Sequence, residues 1–308
     1  MIAVRWPDGI VRCPLCNSDK LTYLAKARLY RCYSNHPRQK FSLKVQTVFE
    51  DSPIPLEKWL PAVWLLSSCK NGISSYELGK AIGVTQKSAW FMLHRIRLAM
   101  QTGGFGKMNK IGNPQGGPVE VDETFVGGKM RNMHRDRRTR YAQQHQGVAS
   151  GTVGKAIVIG MLDRDMRQVR AKVVPNVKRE TLQDEVLKAV KYGTTVYSDN
   201  AYGYDRLHYR FVHDVVDHVQ TYVKGQVHTN GIENFWSLLK RTLSGTYVAV
   251  EPFHLDRYVG EQVFRFNNRG TKKQPMNDPM RFSKAMSQIV GKRLTYAEVT
   301  GKVGETRA

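Results

Sequence analysis

Hydrophobic residues follow two different spacings along this chain of 308 residues. Between residues 55 and 100 they recur every three or four positions, as Leu56, Leu60, Val63 and Trp64 do, which predicts helices with one buried face. Farther along the chain they alternate with polar residues or form short unbroken runs, which predicts strands. The pattern therefore indicates a helical segment followed by a segment of mixed α/β structure.

The helical segment contains the parts of a helix-turn-helix. Ser74 and Glu77 have the spacing of a capping box at the start of one helix, and Gly83 makes a tight turn after it. Thr85 can cap a final helix over residues 86–100, and the second helix of such a pair can enter the major groove of DNA. Helix pairs of this kind are also common in pure scaffolds. The side chains predicted to contact DNA from the final helix are Gln86, Lys87 and Arg97.

The first strand of the α/β segment carries an acid. Val119, Val121 and Phe125 alternate with polar residues, as in a strand with one buried face. Asp122 is therefore predicted to point away from the core, with Glu123 as a neighbouring acid that breaks the alternation.

A second acid follows a later strand. Apolar runs predict strands over residues 156–162 and 169–174, and helical spacing predicts a helix over residues 178–190. The short strand TTVYS then delivers Asp199 at its carboxyl end, where open α/β sheets bind their ligands.

The helix after His228 carries Glu233 and Lys240 on one face, because seven residues make nearly two helical turns. A carboxylate there can bind a metal ion while the ammonium group holds a phosphate. Taken alone, Glu233 fits a solvated helix face better. His228 is predicted either to support the site or to cap the helix.

Three acids in one place repel one another unless divalent cations lie between them. Asp122, Asp199 and Glu233 are therefore predicted to hold two divalent cations. In phosphodiester chemistry such a pair of ions activates the attacking oxygen and stabilises the leaving one.

Four residues near the start of the chain are of metal-binding types. Cys13 and Cys16 form a C-x2-C knuckle, and Cys32 and His36 form C-x3-H after 15 intervening residues. Thiolates and a neutral imidazole are the ligands of a tetrahedral structural Zn²⁺, and the β-like stretch between the pairs is typical of a zinc ribbon. Unrelated thiols, or a three-ligand site with His36 on the surface, are the alternatives.

The charge and hydropathy of the chain indicate which kinds of partner it can bind. The 48 Lys and Arg residues against 26 Asp and Glu give a net charge of +22, for which a polyanion is the complement, although a generally basic surface is an alternative. Apolar runs fall short of the roughly 20 residues of a membrane span, and the first residues lack a secretory signal. The few cysteines suit a reducing compartment. We expect a cytoplasmic, nucleoid-associated protein without a membrane partner.

A basic segment follows the first strand of the α/β segment. Residues 129–140 contain six Lys or Arg residues and one acid. Such a loop can clamp DNA phosphates, or it can be a solvated loop without a role. The residues predicted to contact DNA are Lys129, Arg131, Arg137 and Arg138.

Several sequence blocks together resemble one family. VDETFVGGK, VYSDNAY and HTNGIENFWSLLKR with FRFNNR are similar to the signature blocks of bacterial insertion-sequence transposases of the DDE type, in the group with a zinc ribbon and an RNase H-like catalytic domain. QTVFEDSPIPLEKW and the helix-turn-helix also match that group. The resemblance implies that Asp122, Asp199 and Glu233 are the metal-binding triad, that Lys240 contacts phosphate, and that magnesium is the ion. The sequence departs from the group at C-x3-H, where C-x2-C is expected.

The fold expected from these patterns and from the resemblance is a multidomain α/β protein. Its predicted parts are a zinc ribbon at 1–48, a helix-turn-helix domain at 49–103, a glycine-rich linker at 104–118, a mixed-sheet catalytic domain at 119–290, RNase H-like as the resemblance implies, and a C-terminal tail at 291–308.

The expected function is that of a DNA transposase. It would bind the terminal inverted repeats of its element as double-stranded DNA, cleave the ends with metal ions and transfer them into target DNA. Since two ends must be paired, a homo-oligomer on DNA is the expected assembly. A non-catalytic DNA-binding regulator and a simple RNase H-like nuclease are the alternatives; the intact acids speak against the first, and the DNA-reading modules against the second.

Overall fold

A computed structural model describes residues 1–101, 109–128, 134–136, 139, 143, 154–199, 202–204, 207–216, 228–271 and 274–301, with the backbone alone at 199, 202 and 216. Contacts divide the chain into two units, one formed by residues 1–100 with the segment from 269 onward, the other by residues 101–268. Within the described residues, no helix has both the length and the hydropathy that crossing a membrane requires.

The strands among the described residues are β1 (Leu21–Leu24), β2 (Leu29–Cys32), β3 (Lys40–Phe41), β4 (Val119–Val126), β5 (Ala156–Asp163), β6 (Gln168–Val174), β7 (Thr195–Asp199) and β8 (Val212–Val216). The α-helices are α1 (Ile2–Arg5), α2 (Leu56–Ser68), α3 (Ser75–Ile82), α4 (Gln86–Met100), α5 (Arg179–Ala189), α6 (Asn230–Thr242), α7 (Leu255–Asn267), α8 (Asp278–Met286) and α9 (Tyr296–Thr300). A π-helical turn at Leu243–Tyr247 continues α6.

The first unit begins with a three-stranded antiparallel sheet of order β1-β2-β3. One face of this sheet carries aromatic residues, and the rings of Tyr30 and Phe41 stack with centroids 5.7 Å apart. Phe41 also joins Cys13 and Cys32 in a small buried cluster. A core of this size stabilises little by itself, so the segment needs a further source of folding energy.

Helices α2, α3 and α4 follow the sheet. The capping box predicted at the start of α3 is confirmed, since the Ser74 hydroxyl accepts from the Glu77 amide and the Glu77 carboxylate accepts from the Ser74 amide. Gly83 ends α3 with a φ of 64°, a left-handed conformation that glycine adopts without a steric penalty. The Thr85 hydroxyl accepts from the Ser88 amide as α4 begins. The predicted bounds of the last helix, 86 and 100, are confirmed.

The C-terminal segment packs against these helices. Helix α8 lies on α2, where the rings of Trp64 and Phe282 are 5.7 Å apart. A β-bridge also joins Thr47 to Val290. The division between the units therefore falls at residue 268, whereas the interpretation of the sequence continued the catalytic domain to residue 290.

Two cations tie this segment to α4. The buried Arg95 guanidinium donates to the backbone carbonyls of Val48, Glu50 and Leu294. The Lys292 ammonium group donates to the carbonyls of Leu98 and Ala99, in the last turn of α4, where helical carbonyls lack intrahelical partners. Desolvation by burial lowers the pKa of Lys292 to about 8.

The second unit is built on a five-stranded mixed sheet of order β6-β5-β4-β7-β8. Strands β6, β5 and β4 are antiparallel neighbours, and β7 and β8 run parallel to β4. Strand β4 is central. Helix α5 buries apolar residues against one face of the sheet, and α6 and α7 bury theirs against the other. Strand β8 and helix α7 were not predicted from the sequence.

The polar side of β4 is covered, which corrects the prediction that it points away from the core. Glu120 is 1% exposed and Thr124 is 4% exposed, and Asp122 between them is partly buried. The physical reason is that α6 packs over this side of the strand. The alternation of apolar and polar residues correctly predicted a strand, but both faces of this strand are covered, one apolar and one polar.

The second half of the predicted linker packs onto this unit. Ile111 is buried, and its backbone pairs with the end of α5, where its amide donates to the Ala189 carbonyl. The Gly112 amide donates to the Asp163 carboxylate at 2.9 Å. Residues 109–118 are therefore part of the second unit, which corrects their assignment to a linker; residues 102–108 lie outside the described residues.

Candidate functional site

The four predicted zinc ligands come together beside the small sheet. The Sγ atom of Cys13 lies 3.4 Å from Nε2 of His36, and the Sγ atoms of Cys16 and Cys32 lie 3.6 Å apart. All four ligand atoms lie within 4.8 Å of one another. The structure thus includes His36 in the cluster.

These separations fit the edges of a zinc tetrahedron. With Zn–S bonds of about 2.3 Å and Zn–N bonds of about 2.0 Å, tetrahedral geometry sets neighbouring ligand atoms about 3.5 to 3.8 Å apart. A hydrogen bond with the Ser34 side chain lowers the pKa of Cys16 to about 6, which favours the thiolate that binds metals. The cluster is a possible Cys₃His zinc site.

Asp122 is held by helix α6. Its Oδ2 atom accepts from the indole N–H of Trp236 at 2.8 Å, and its Oδ1 atom accepts from the amide of Glu123 at 2.8 Å. Opposite Asp122 on β5 stands Gly160, where a Cβ atom would lie only 2.4 Å from the Trp236 ring. The glycine therefore makes room for the ring to lie on the sheet and reach the carboxylate.

Asp199 ends the strand next to β4. The parallel pairing of β4 and β7 aligns Val119 with Val196 and Glu120 with Tyr197. Continuing this register by two residues sets Asp199 opposite Asp122, and neighbouring strands lie about 4.8 Å apart. On this extension of the register the two predicted metal ligands would be neighbours; the side chain of Asp199 lies outside the described part of the chain.

Glu233 lies in the first turn of α6, on its exposed side. Its Oε1 atom accepts from the Thr229 hydroxyl at 3.0 Å. Lys240 is exposed in the last turn of the same helix. The opposite side of α6 is buried and consists of Ile232, Phe235, Trp236 and Leu239.

Two family models match the chain. One, described as an ISXO2-like transposase domain, matches residues 115–267, and the other, described as a transposase zinc-ribbon domain, matches residues 1–34. Together they cover more than half of the chain. The chain contains an ISXO2-like transposase domain and a transposase zinc-ribbon domain. A transposase domain implies a DNA-cleaving enzyme, and the two domains together imply that it binds DNA.

A relative supports the same assignment. This transposase-family chain is 28% identical over 253 residues to an uncharacterized protein in transposable element ISH50 of Halobacterium salinarum, and the alignment covers 78% of the chain and 80% of the relative. The matched transposase domain contains Asp122, Asp199 and Glu233. The matched zinc ribbon ends at residue 34 and so contains the three cysteines of the cluster but not His36.

Glu120 anchors the start of α6 in this transposase domain, a role that sequence reasoning missed. Its buried carboxylate accepts from the amide of Ile232 at 2.8 Å and from the Nε atom of Arg164 at 2.6 Å. The carboxylate thus satisfies one of the unpaired amides of the helix N-terminus and lies at the positive end of the helix dipole. An acid within a predicted strand was the signal, since Glu is seldom buried without a partner.

His228 takes part in the same network. The Arg164 guanidinium donates to Nδ1 of His228 at 2.7 Å and to its backbone carbonyl at 2.6 Å. The Arg164 guanidinium also lies 5.0 Å from the ring centroid of Tyr197 on β7. His228 therefore binds Arg164 just before the start of α6. The sequence left open whether it supports the site or caps the helix.

The predicted DNA contacts of the transposase have different outcomes. Gln86 and Lys87 are exposed at the start of α4. Arg97 is 1% exposed, so its prediction as a DNA contact is wrong: the C-terminal half of α4 is buried on every side. The remaining predicted contacts, Lys129, Arg131, Arg137 and Arg138, lie outside the described residues.

Proposed function

We propose that this protein is the transposase of an insertion sequence, which binds the inverted repeats at the element ends, cleaves them and transfers them into target DNA. One observation carries the catalytic part of the proposal: β4 and β7 pair in parallel through Val119–Val196 and Glu120–Tyr197, two residues before Asp122 and Asp199 on their strands, while α6, with Glu233 in its first turn, packs on β4. The mixed sheet with α-helices on both faces supports an RNase H-like fold for the second unit.

Asp122, Asp199 and Glu233 would hold two Mg²⁺ or Mn²⁺ ions. Bound there, the ions would supply a polarised nucleophilic oxygen and stabilisation of the leaving oxygen. Asp122 suits a ligand role because its contacts with Trp236 and the Glu123 amide hold its carboxylate in a fixed position.

The remaining residues position the substrate. Lys240 is exposed on the helix that carries Glu233, so its ammonium group would hold a phosphate of the bound strand. Water and then the liberated 3′-hydroxyl would attack phosphorus in line, so one site would serve both cleavage and joining. This scheme needs two DNA ends and a target, so we propose a homo-oligomer on DNA.

DNA recognition is proposed to lie in the first unit. Gln86 and Lys87 are exposed at the start of α4, the end of a recognition helix that meets base edges. The zinc ribbon would add contacts to the same duplex, held in shape by Zn²⁺ on Cys13, Cys16, Cys32 and His36. The basic segment at residues 129–140 would clamp phosphates.

The test is the matched pair Asp122→Asn and Asp214→Asn. Both remove one negative charge from the same sheet, but Asp214 is exposed on the edge strand β8. With Mg²⁺ and DNA from the ends of the surrounding element, Asp122→Asn should cut the ends about 100-fold more slowly or worse, and still bind them. Asp214→Asn should behave as the wild type.

Product analysis separates the alternatives. Ends joined to target DNA support a transposase, ends cleaved without joining support a nuclease, and binding without cleavage supports a regulator. Unimpaired cleavage by Asp122→Asn, or an equal loss in Asp214→Asn, would show that Asp122 is not a metal ligand of the reaction.

A further inference from the structure

An open cleft of about 460 Å³ lies in the zinc ribbon, on the side of the sheet away from its aromatic face. Its lining is basic and polar, with three permanent cations and no acid. The lining residues are Arg31, His36, Pro37, Arg38, Gln39 and Lys40.

The cations of this cleft lie close together, although like charges repel one another. Arg31 on β2 and Lys40 on β3 are direct register partners. Side chains at directly opposite positions begin about 5 Å apart, and like charges there destabilise a sheet. Arg38 adds a third cation two residues before Lys40. Such an arrangement is expected where an anion offsets the repulsion.

The protein itself supplies no such anion among the residues that the structure describes. There, no carboxylate lies within ion-pair distance of Arg31, Arg38 or Lys40, whereas the exposed Arg28, just before β2, pairs with Glu57 at 3.1 Å. Residues 20–40 contain six Lys or Arg residues and no Asp or Glu. The cleft therefore presents unneutralised positive charge to the solvent.

The cleft is held in shape by the zinc cluster. Its loop contains His36, whose Nε2 lies 3.4 Å from Sγ of Cys13, and the carbonyl of Gln39 accepts from the amide of Cys32 at 2.7 Å. Arg38 stands between these two attachment points. A metal ion on the cluster would therefore fix the backbone that carries Arg38, and the side chains would be arranged before a ligand binds.

We propose that the Arg31, Arg38 and Lys40 cleft is a phosphate-binding site that holds the backbone of duplex DNA. Guanidinium groups match phosphate oxygens in a bidentate way, and the Lys40 ammonium group adds a point charge. The contact is to the backbone, so it positions the ribbon and reads no base. This inference rests on the proposed function, because it takes the polyanion to be the transposase's DNA.

The test compares two double variants of the full chain with equal charge change. Arg38→Gln with Lys40→Gln empties the cleft of two cations, and Lys20→Gln with Lys26→Gln removes two exposed cations elsewhere in the ribbon. Binding is measured without Mg²⁺ over a range of salt concentrations, on element-end DNA and on an unrelated duplex. Zinc content, measured by mass spectrometry, should be equal in both variants, since none of the four side chains is in the metal cluster.

Each phosphate contact contributes about 0.9 to the slope of log affinity against log salt. The cleft variant should therefore lose about 1.8 from this slope, equally on both duplexes, while the control variant keeps the wild-type slope. A charge-preserving Arg38→Lys variant should keep the wild-type slope as well.

Equal slopes for the cleft variant and the wild type, or equal losses in cleft and control variants, would overturn the inference. If the wild type binds and cleaves DNA and the cleft variant binds DNA equally well, this inference alone is refuted. Absence of any duplex binding by the wild type would refute the proposed function with it.

Discussion

Replacement of Gly160 by alanine tests the packing that holds Asp122. An alanine Cβ would lie 2.4 Å from Cη2 and 2.6 Å from Cζ2 of Trp236. Carbon atoms in contact are about 3.5 to 4.0 Å apart, so the ring must move by about 1 Å. Trp236 is 4% exposed and has little room to move. Overpacking of this kind costs about 1 to 3 kcal/mol.

The displaced ring would also release Asp122. The 2.8 Å bond from the Trp236 indole to the carboxylate would be broken, and a hydrogen bond to a charged group contributes about 1.5 to 3 kcal/mol. The two effects together predict that Gly160→Ala lowers the free energy of unfolding of the second unit by about 2.5 to 6 kcal/mol. For a domain of this size each kcal/mol shifts Tm by about 2 to 4 °C, so the fall should be about 5 to 24 °C.

Scanning calorimetry of the full chain measures this shift. The control is Gly245→Ala, because no atom lies within 4 Å of a Cβ at that position, and its stability should change by less than about 1 kcal/mol. Trp236→Phe offers a smaller ring, so adding it to Gly160→Ala should cost less than the two single changes summed. Wild-type stability in Gly160→Ala, or strict additivity of the pair, would refute the packing of Trp236 on Gly160.

Two further predictions concern buried charges. Glu120→Ala leaves Arg164 and the start of α6 without their partner, so the free energy of unfolding measured in urea should fall by about 3 to 5 kcal/mol. The control Glu180→Ala, at an exposed position, should change it by no more than about 0.5 kcal/mol. Equal effects of the two substitutions would contradict the buried role of Glu120. The pKa of Lys292 falls from 10.5 to about 8 on folding. The unfolded chain therefore holds more protons between these pH values, and stability should rise with pH there; urea unfolding of Lys292→Met should lack this rise, and an identical pH profile would contradict it.

Elements defined by neighbouring residues could be predicted closely. The capping box at Ser74, the left-handed Gly83 and the cap at Thr85 are local devices, so the start of α4 followed from the sequence alone. The metal cluster was predictable for the same reason, because two short knuckles carry its ligands. In each case the deciding contacts lie within a few residues or are fixed by the chemistry of the ligand.

Contacts between distant segments could not be predicted in this way. Helical spacing assumes one covered face, and on that assumption Arg97 would be exposed. The C-terminal half of α4 is instead buried all round, and Arg95 is held by the carbonyl of Leu294, almost two hundred residues away. No sequence pattern in residues 269–301 indicates that Leu294 contacts Arg95. The exposure of the C-terminal half of α4 therefore depends on contacts with a distant segment, which form only in the folded chain.

The polar face of β4 shows why the candidate active site depends on more than its acids. Two carboxylates of that strand bind helix α6 directly, Glu120 at the Ile232 amide and Asp122 at the Trp236 indole. These attachment points lie about one helical turn apart, so they fix both the axial position and the rotation of the helix against the strand. Glu233 lies between them in sequence. Its place relative to Asp122 is thus set by contacts within one turn of helix and one strand, and the proposed metal centre would depend on these contacts.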